Sequence, residues 1–174
     1  LSMNGAHSKE GRPENESMIT VNFVWINEGE TALDKCVGCS LCEMACSLRH
    51  HGVCGSYLSG IRVTRKESEW LNKASRRILD ITVCNQCGLC LQVCPEGALR
   101  RIAETGAIVV DDGKCSRCIR CIKVCPSGAL WYTGKGKSVK LIKCDLCSGH
   151  EDGPRCIEWC PRGILQLSSY AATP

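Results

Sequence analysis

Phenylalanine occurs once among the 174 residues, and Phe, Trp and Tyr together supply only 5% of the chain. Large rings normally dominate buried area, so a core of the usual aromatic kind is excluded. Nothing approaches the ~18 consecutive apolar residues of a membrane-spanning helix, which excludes direct insertion into a bilayer. The opening stretch "LSMNGAHSKEGRPENES" lacks the apolar run of an export signal, and the expected compartment is the reducing cytoplasm. A nucleophile with its base, paired catalytic acids and a phosphate-binding glycine loop are all missing, which directs attention to chemistry other than hydrolysis or group transfer. Basic runs interleaved with aromatics are lacking too, and nucleic-acid binding is set aside.

What the chain has in excess is cysteine, at 17 residues. Such a fraction marks disulfide scaffolds in small secreted proteins, but thiols in a reducing compartment stay free to bind metal. Their order is regular. Cys36, Cys39, Cys42 and Cys46 form a first group, Cys84, Cys87, Cys90 and Cys94 a second, and Cys115, Cys118, Cys121 and Cys125 a third, each spaced C-x2-C-x2-C-x3-C. The fourth group, Cys144, Cys147, Cys156 and Cys160, widens the middle gap in "CDLCSGHEDGPRCIEWCP". Cys54 stands outside every group and reads as a buried or bystander thiol. Three groups end alike, in "CPEGAL", "CPSGAL" and "CPRGIL", where the proline stops a helix and the later glycine permits a tight turn.

Three cysteines two residues apart let one short loop place thiolates on three irons of a cubane, leaving the fourth ligand to come from elsewhere. In two-cluster ferredoxins the fourth cysteine of each run serves the other cluster, and groups two and three are spaced for the same exchange. The expected clusters are one on Cys84, Cys87, Cys90 and Cys125 and one on Cys115, Cys118, Cys121 and Cys94. Groups one and four can pair around this inserted unit in the same manner. They would hold a cluster on Cys36, Cys39, Cys42 and Cys160 and another on Cys144, Cys147, Cys156 and Cys46. Zinc is the structural alternative, because C-x2-C pairs also occur in zinc ribbons. A tetrahedral zinc site has no use for a third evenly spaced cysteine in three separate groups, and Pro161 and Gly163 bring group four into line with the others. Sixteen thiolates on four [4Fe-4S] clusters of about +2 each would turn the formal charge of +4 into roughly −4.

The segments between groups read as short hairpins. "IRVTRKE" and "RRILDITVC" form one strand pair, with "SEWLNKAS" between them as loop or short helix. "RRIAETGAIVVDDGKC" has apolar runs either side of a Thr-Gly turn, and "ALWYTGKGKSVKLIKC" repeats that layout around a glycine-rich turn. Residues 1–33 read as an N-terminal arm, polar over its first seventeen residues, that lies on a partner surface. Gly38 and Gly88 allow backbone amides to approach sulfur. Lys35, Lys114, Arg117, Arg120, Lys123 and Lys143 flank the groups, as solvated charges, as cations that raise cluster potentials, or as contacts for an acidic partner. His50 and His51 read as local hydrogen-bonding groups rather than catalysts. Trp25, Trp70, Trp131 and Trp159 read as cluster covers or hydrophobic contacts.

With sixteen cysteines placed, residues 34–165 resemble the four-cluster polyferredoxin subunits of molybdenum and tungsten enzymes, including those of dimethyl sulfoxide reductase and formate hydrogenlyase relatives. "CVGCSLCEMACSLRHHG" followed by "LSGIRVTR" resembles more narrowly the small subunits of tungsten enzymes of the aldehyde oxidoreductase family, class II benzoyl-coenzyme A reductases among them. The resemblance implies an electron-transfer subunit wired to a large tungstopterin-containing catalytic subunit, or less closely a molybdenum one, with further redox subunits or ferredoxin beyond. The expected fold is α+β, two nested bacterial-ferredoxin-like units. An inner unit at 81–135 is inserted between outer halves at 34–80 and 136–174. A free polyferredoxin shuttle and a structural zinc protein are the readings from other classes.

Overall fold

A computed structural model of the chain describes residues 19–26, 36–66, 78–134 and 139–172. It is α+β. The elements are β1 (Ile19–Ile26), α1 (Leu41–His51), a 3₁₀ turn (Ser56–Leu58), β2 (Ile61–Lys66), β3 (Ile78–Val83), α2 (Leu89–Gln92), β4 (Leu99–Arg101), β5 (Ile108–Val110), α3 (Arg120–Lys123), β6 (Leu130–Thr133), β7 (Lys140–Lys143), α4 (Arg155–Glu158) and β8 (Leu165–Ala172).

Proline placement sets the helix lengths. Pro95, Pro126 and Pro161 follow the last cysteine of their groups, and a residue before proline is driven out of the helical region, so α2, α3 and α4 stop at four residues each. Cys46 is followed by Ser47 instead, and α1 runs on for 11 residues. It ends at Gly52, left-handed at φ 70°, whose N–H donates to the Leu48 carbonyl at 2.9 Å. Arg49, His50 and His51 in its last turn complement the negative end of the helix dipole.

The strands form four separate antiparallel ribbons. Three join chain neighbours, with Ile61 opposite Val83, Leu99 opposite Val110 and Leu130 opposite Lys143. These are the hairpins expected between the cysteine groups. The "SEWLNKAS" segment, Trp70 within it, and Lys35 lie outside the described residues. The fourth ribbon joins the two ends, β1 to β8, from Ile19 opposite Ala172 to Ile26 opposite Leu165. Residues 19–26 of the expected arm are therefore a strand of the fold itself, and 1–18 and 27–33 lie outside the described residues.

Two buried cores result. One gathers Val24, Cys46, Ile61, Ile81, Ala107, Leu146, Cys156, Ile164 and Leu165, and the other Cys90, Leu99, Ile108, Cys121, Leu130 and Leu141. The first draws on both ends of the chain and the second on its middle. Ala107 lies in the first core although its neighbour Ile108 lies in the second, because the β4–β5 turn reaches under β1. There Asn22 donates its N–H to the Thr105 carbonyl at 3.1 Å. Gly106 sits beneath at φ +69°, where a Cβ would stand 2.6 Å from the Val21 Cα.

Replacing Gly106 by Ala combines left-handed strain with a backbone clash, and should destabilise the fold by about 2 kcal/mol or more. Anaerobic thermal unfolding reads this directly; an unshifted midpoint would mean that β1 does not rest on this turn.

Candidate metal centres

The cysteine loops share one backbone. In the first three groups the residue two places after the leading cysteine, Gly38, Gln86 or Arg117, has φ of 65°, 59° or 59°, and the residue after the second cysteine, Ser40, Gly88 or Ile119, has φ of 58°, 93° or 62°. In group four the left-handed pair is Leu146 and Cys147 at 58° and 55°. Left-handed residues set among right-handed ones turn successive N–H groups to one side, a concave nest for anionic groups. Glycine supplies this twist at 38 and 88, but six non-glycine residues carry it at a cost of about 1 kcal/mol each. Isoleucine is the least suited of them.

These loops deliver the cysteines into gatherings. Cys36, Cys39, Cys42 and Cys160 line one cavity with Val63, Ile81, Ile164 and Leu165. Cys94, Cys115, Cys118 and Cys121 line a second with Leu99, Val110, Tyr132 and Leu141. A third holds Cys46, Cys144, Cys147 and Cys156 with Ile61 and Leu146. Cys90 lies within electrostatic reach of Cys84 and Cys87, and Cys125 packs on the core that contains Cys90. Among the described residues no three His, Cys, Asp or Glu side chains meet closely enough to hold a single ion; the thiols stand around a volume instead.

Burial pushes the Cys42 and Cys90 thiols up to about 12 and about 11. It also raises Cys46, Cys121, Cys147 and Cys156, and Cys144 most severely. Thiols so placed stay protonated until a cation enters, because several thiolates in one apolar cavity repel each other and have lost water. A positively charged iron-sulfur core fits that donor set, since its binding releases the protons. Backbone donors already face sulfur: Gly60 N–H to Cys46 Sγ at 3.2 Å, Gln86 N–H to Cys84 Sγ at 3.4 Å and Ala98 N–H to Cys94 Sγ at 3.3 Å. Such bonds tune cluster potential.

The gatherings adjoin one another. Cys156 is within electrostatic reach of Cys42, Cys144 of Cys84, and Cys90 of Cys121. Gln86 stands at the middle junction, fully buried. Its side-chain amide donates to the Cys144 carbonyl at 2.9 Å, while its oxygen accepts from Ile108 N–H at 3.0 Å and from Lys143 Nζ at 2.8 Å. Lys143 Nζ donates also to the carbonyls of Ile108 and Cys144, at 3.0 and 2.8 Å. Gly60 closes the same junction: a Cβ there would meet the Cys144 Cα at 2.9 Å.

Several sequence expectations change in detail. Lys143 is turned inward, whereas Lys114, Arg117, Arg120 and Lys123 are exposed. Cys54 is an exposed thiol, not a buried one. His50 bonds locally, its Nε2 3.3 Å from Asp145 Oδ1 and 3.6 Å from Cys147 Sγ. Trp131 is buried beneath Arg62, whose guanidinium carbon lies 3.7 Å from the ring centre, while Trp25 and Trp159 are exposed and cover little. Gln86, Gly60 and the buried Glu43, whose carboxylate accepts from Val63 N–H at 3.3 Å, drew no notice. Only Gly60, an isolated glycine just before a strand, carried a readable signal.

Residues 83–129 match the family model described as a 4Fe-4S dicluster domain. The polyferredoxin-like subunit of aliphatic sulfonate oxidoreductase from Pyrococcus furiosus is 39% identical over 130 residues, covering 73% of this chain and 67% of that one. The electron transport protein HydN of Escherichia coli is 34% identical over 151 residues, covering 75% and 81%. A solved active site complex, BamBC of benzoyl coenzyme A reductase with benzoyl-CoA, contains a chain that aligns over 90% of this one and 84% of its own length, with TM-score 0.49 and 24% identity. Among the described residues no helix is long and apolar enough to cross a membrane.

Lys143→Met removes three hydrogen bonds at the junction, from the Gln86 side-chain oxygen and from the carbonyls of Ile108 and Cys144. A loss of about 2 kcal/mol is expected, measurable as a lowered unfolding midpoint; a variant as stable as the parent would mean that the junction does not hold the two cores together.

Proposed function

Because the chain belongs to the family of 4Fe-4S ferredoxin-like electron-transport proteins, we propose that it is a four-cluster relay subunit serving a tungstopterin catalytic subunit. The observation that carries the relay is that three cavities each gather four cysteines, with Cys90 within electrostatic reach of Cys84, Cys87 and Cys121. In this reading Cys36, Cys39, Cys42 and Cys160 hold the first [4Fe-4S] cluster, and Cys46, Cys144, Cys147 and Cys156 the second. Cys84, Cys87, Cys90 and Cys125 hold the third, and Cys94, Cys115, Cys118 and Cys121 the fourth. Each cluster, when bound, supplies a one-electron couple. The outer halves, 34–80 and 136–174, carry the first two and the inner unit, 81–135, the last two.

The chain's own residues do the rest. Apolar walls exclude water, the left-handed loops aim N–H groups at sulfur, and Gln86 with Lys143 fixes the outer pair against the inner. The Lys143 ammonium also favours the thiolate at Cys90 and Cys144, so it stabilises added negative charge on both sides of the junction. The tungsten partner is supported by the resemblance of "CVGCSLCEMACSLRHHG" and "LSGIRVTR" to the small subunits of tungsten enzymes of the aldehyde oxidoreductase family.

Elemental analysis of the complex, purified without oxygen from its native source, tests both parts. About sixteen irons per copy of this chain, with tungsten co-purifying, is the expected outcome. Molybdenum in place of tungsten would keep the relay and change its partner; zinc in place of iron would end the reading.

Cys94 belongs by sequence to group two but lines the cavity of group three. Cys94→Ala should therefore damage the inner pair together, leaving about eight of the sixteen irons, with loss of the spin coupling between the two clusters by electron paramagnetic resonance. Full iron in this variant would refute the exchange of ligands.

A further inference from the structure

Charge is distributed very unevenly along the chain. Residues 113–144 hold eight of its 22 Lys and Arg and none of its 18 Asp and Glu, so the rest of the chain carries an excess of acid. Six of these eight lie among the described residues. Lys143 is turned inward at the junction, and Lys140 lines the groove beside it. Lys114, Arg117, Arg120 and Lys123 are exposed on the loop and the short α3 that carry Cys115, Cys118 and Cys121.

That loop is the far end of the proposed relay. Cys118 itself is exposed, and Ile119 and Val124 beside it are 42% and 37% exposed. Arg117 is anchored through Nε to the Val139 carbonyl at 2.9 Å, which holds its guanidinium at the rim. Lys114 lies 3.8 Å from Asp111, while Arg120 and Lys123 make no ion pair among the described residues. The opposite end differs in kind. The cavity containing Cys39 opens between Val37, Ser40 and Pro161, and Val37 and Leu41 are 56% and 39% exposed. Permanent interfaces are apolar at their centre, whereas brief redox encounters are small and steered by charge.

We propose that the face formed by Arg117, Ile119, Arg120, Lys123 and Val124 around Cys118 is the docking surface for a small acidic one-electron carrier protein. The inference rests on the relay reading and adds which end meets the mobile partner and by what chemistry. A cationic rim on an otherwise anionic holoprotein orients an acidic carrier toward a cysteine loop that reaches solvent at Cys118. Each encounter moves one electron across the face, the carrier being oxidised as this chain is reduced or the reverse, with no bond or proton changing hands.

The test uses the anaerobic complex and, as probe, a reduced two-cluster [4Fe-4S] ferredoxin of net negative charge, with electron transfer followed by stopped-flow absorbance. The second-order rate should fall at least about ten-fold between low and physiological ionic strength, and Arg120→Glu/Lys123→Glu should lower the low-salt rate by at least about ten-fold, with iron content and the catalytic subunit retained. A fully iron-loaded double variant with the parent's rate and salt dependence would overturn the proposal. So would release of the catalytic subunit by the double variant, which would assign the face to the permanent partner. Wild-type complex lacking iron in this chain would defeat the relay reading itself and is told apart by the iron count.

Discussion

Sulfur anions packed at close quarters out of water require a positive charge among them, and this requirement governs the molecule. Seven of the grouped thiols are raised by burial, so the polypeptide alone cannot keep them as thiolates. The cavities that they line are walled by residues of the two apolar cores. One phenylalanine in 174 residues leaves those cores little aromatic bulk of their own. Stability and cofactor content are therefore one property here, as in other small metal-dependent folds.

The same constraint accounts for the loop strain. A loop that must surround a cubane on three sides cannot follow a helix or a strand, and it turns by repeated left-handed residues whatever the side chain. Ile119 in that conformation costs more than a glycine would, yet it holds the same place as Gly88 and Ser40 in the sister loops. Proline after the last cysteine then ends each short helix, except in α1, where Ser47 lets the helix continue and carry His50 to Asp145 and Cys147.

Much of this was legible before any coordinates. The spacing marked the four cysteine groups, and the three local hairpins followed from apolar runs around glycine turns. The β1–β8 ribbon was not legible, because "ITVNFVWI" and "LQLSSYAA" lie at opposite ends of the chain and neither carries a sign of the other. The non-glycine left-handed residues were invisible for a related reason: the cofactor's shape imposes them, against the local preference of the side chain. Gln86 was missed because an amide inside a cysteine loop looks like any solvated polar residue. Its partners, Ile108, Lys143 and Cys144, come from two later hairpins and a later cysteine group.

Gln86 also ties the second cysteine group to the fourth. A charged clamp at that position would have to be neutralised inside the fold, and an apolar residue would leave Ile108 N–H and the Lys143 ammonium short of an acceptor. A neutral amide satisfies a donor from the inner unit, an ammonium and a carbonyl from the outer group at once. The ammonium is then the net charge held at this junction, within electrostatic reach of Cys90 and Cys144. One small polar cluster thus joins β5 and β7 to the second and fourth cysteine groups, and no residue in it has to touch a substrate.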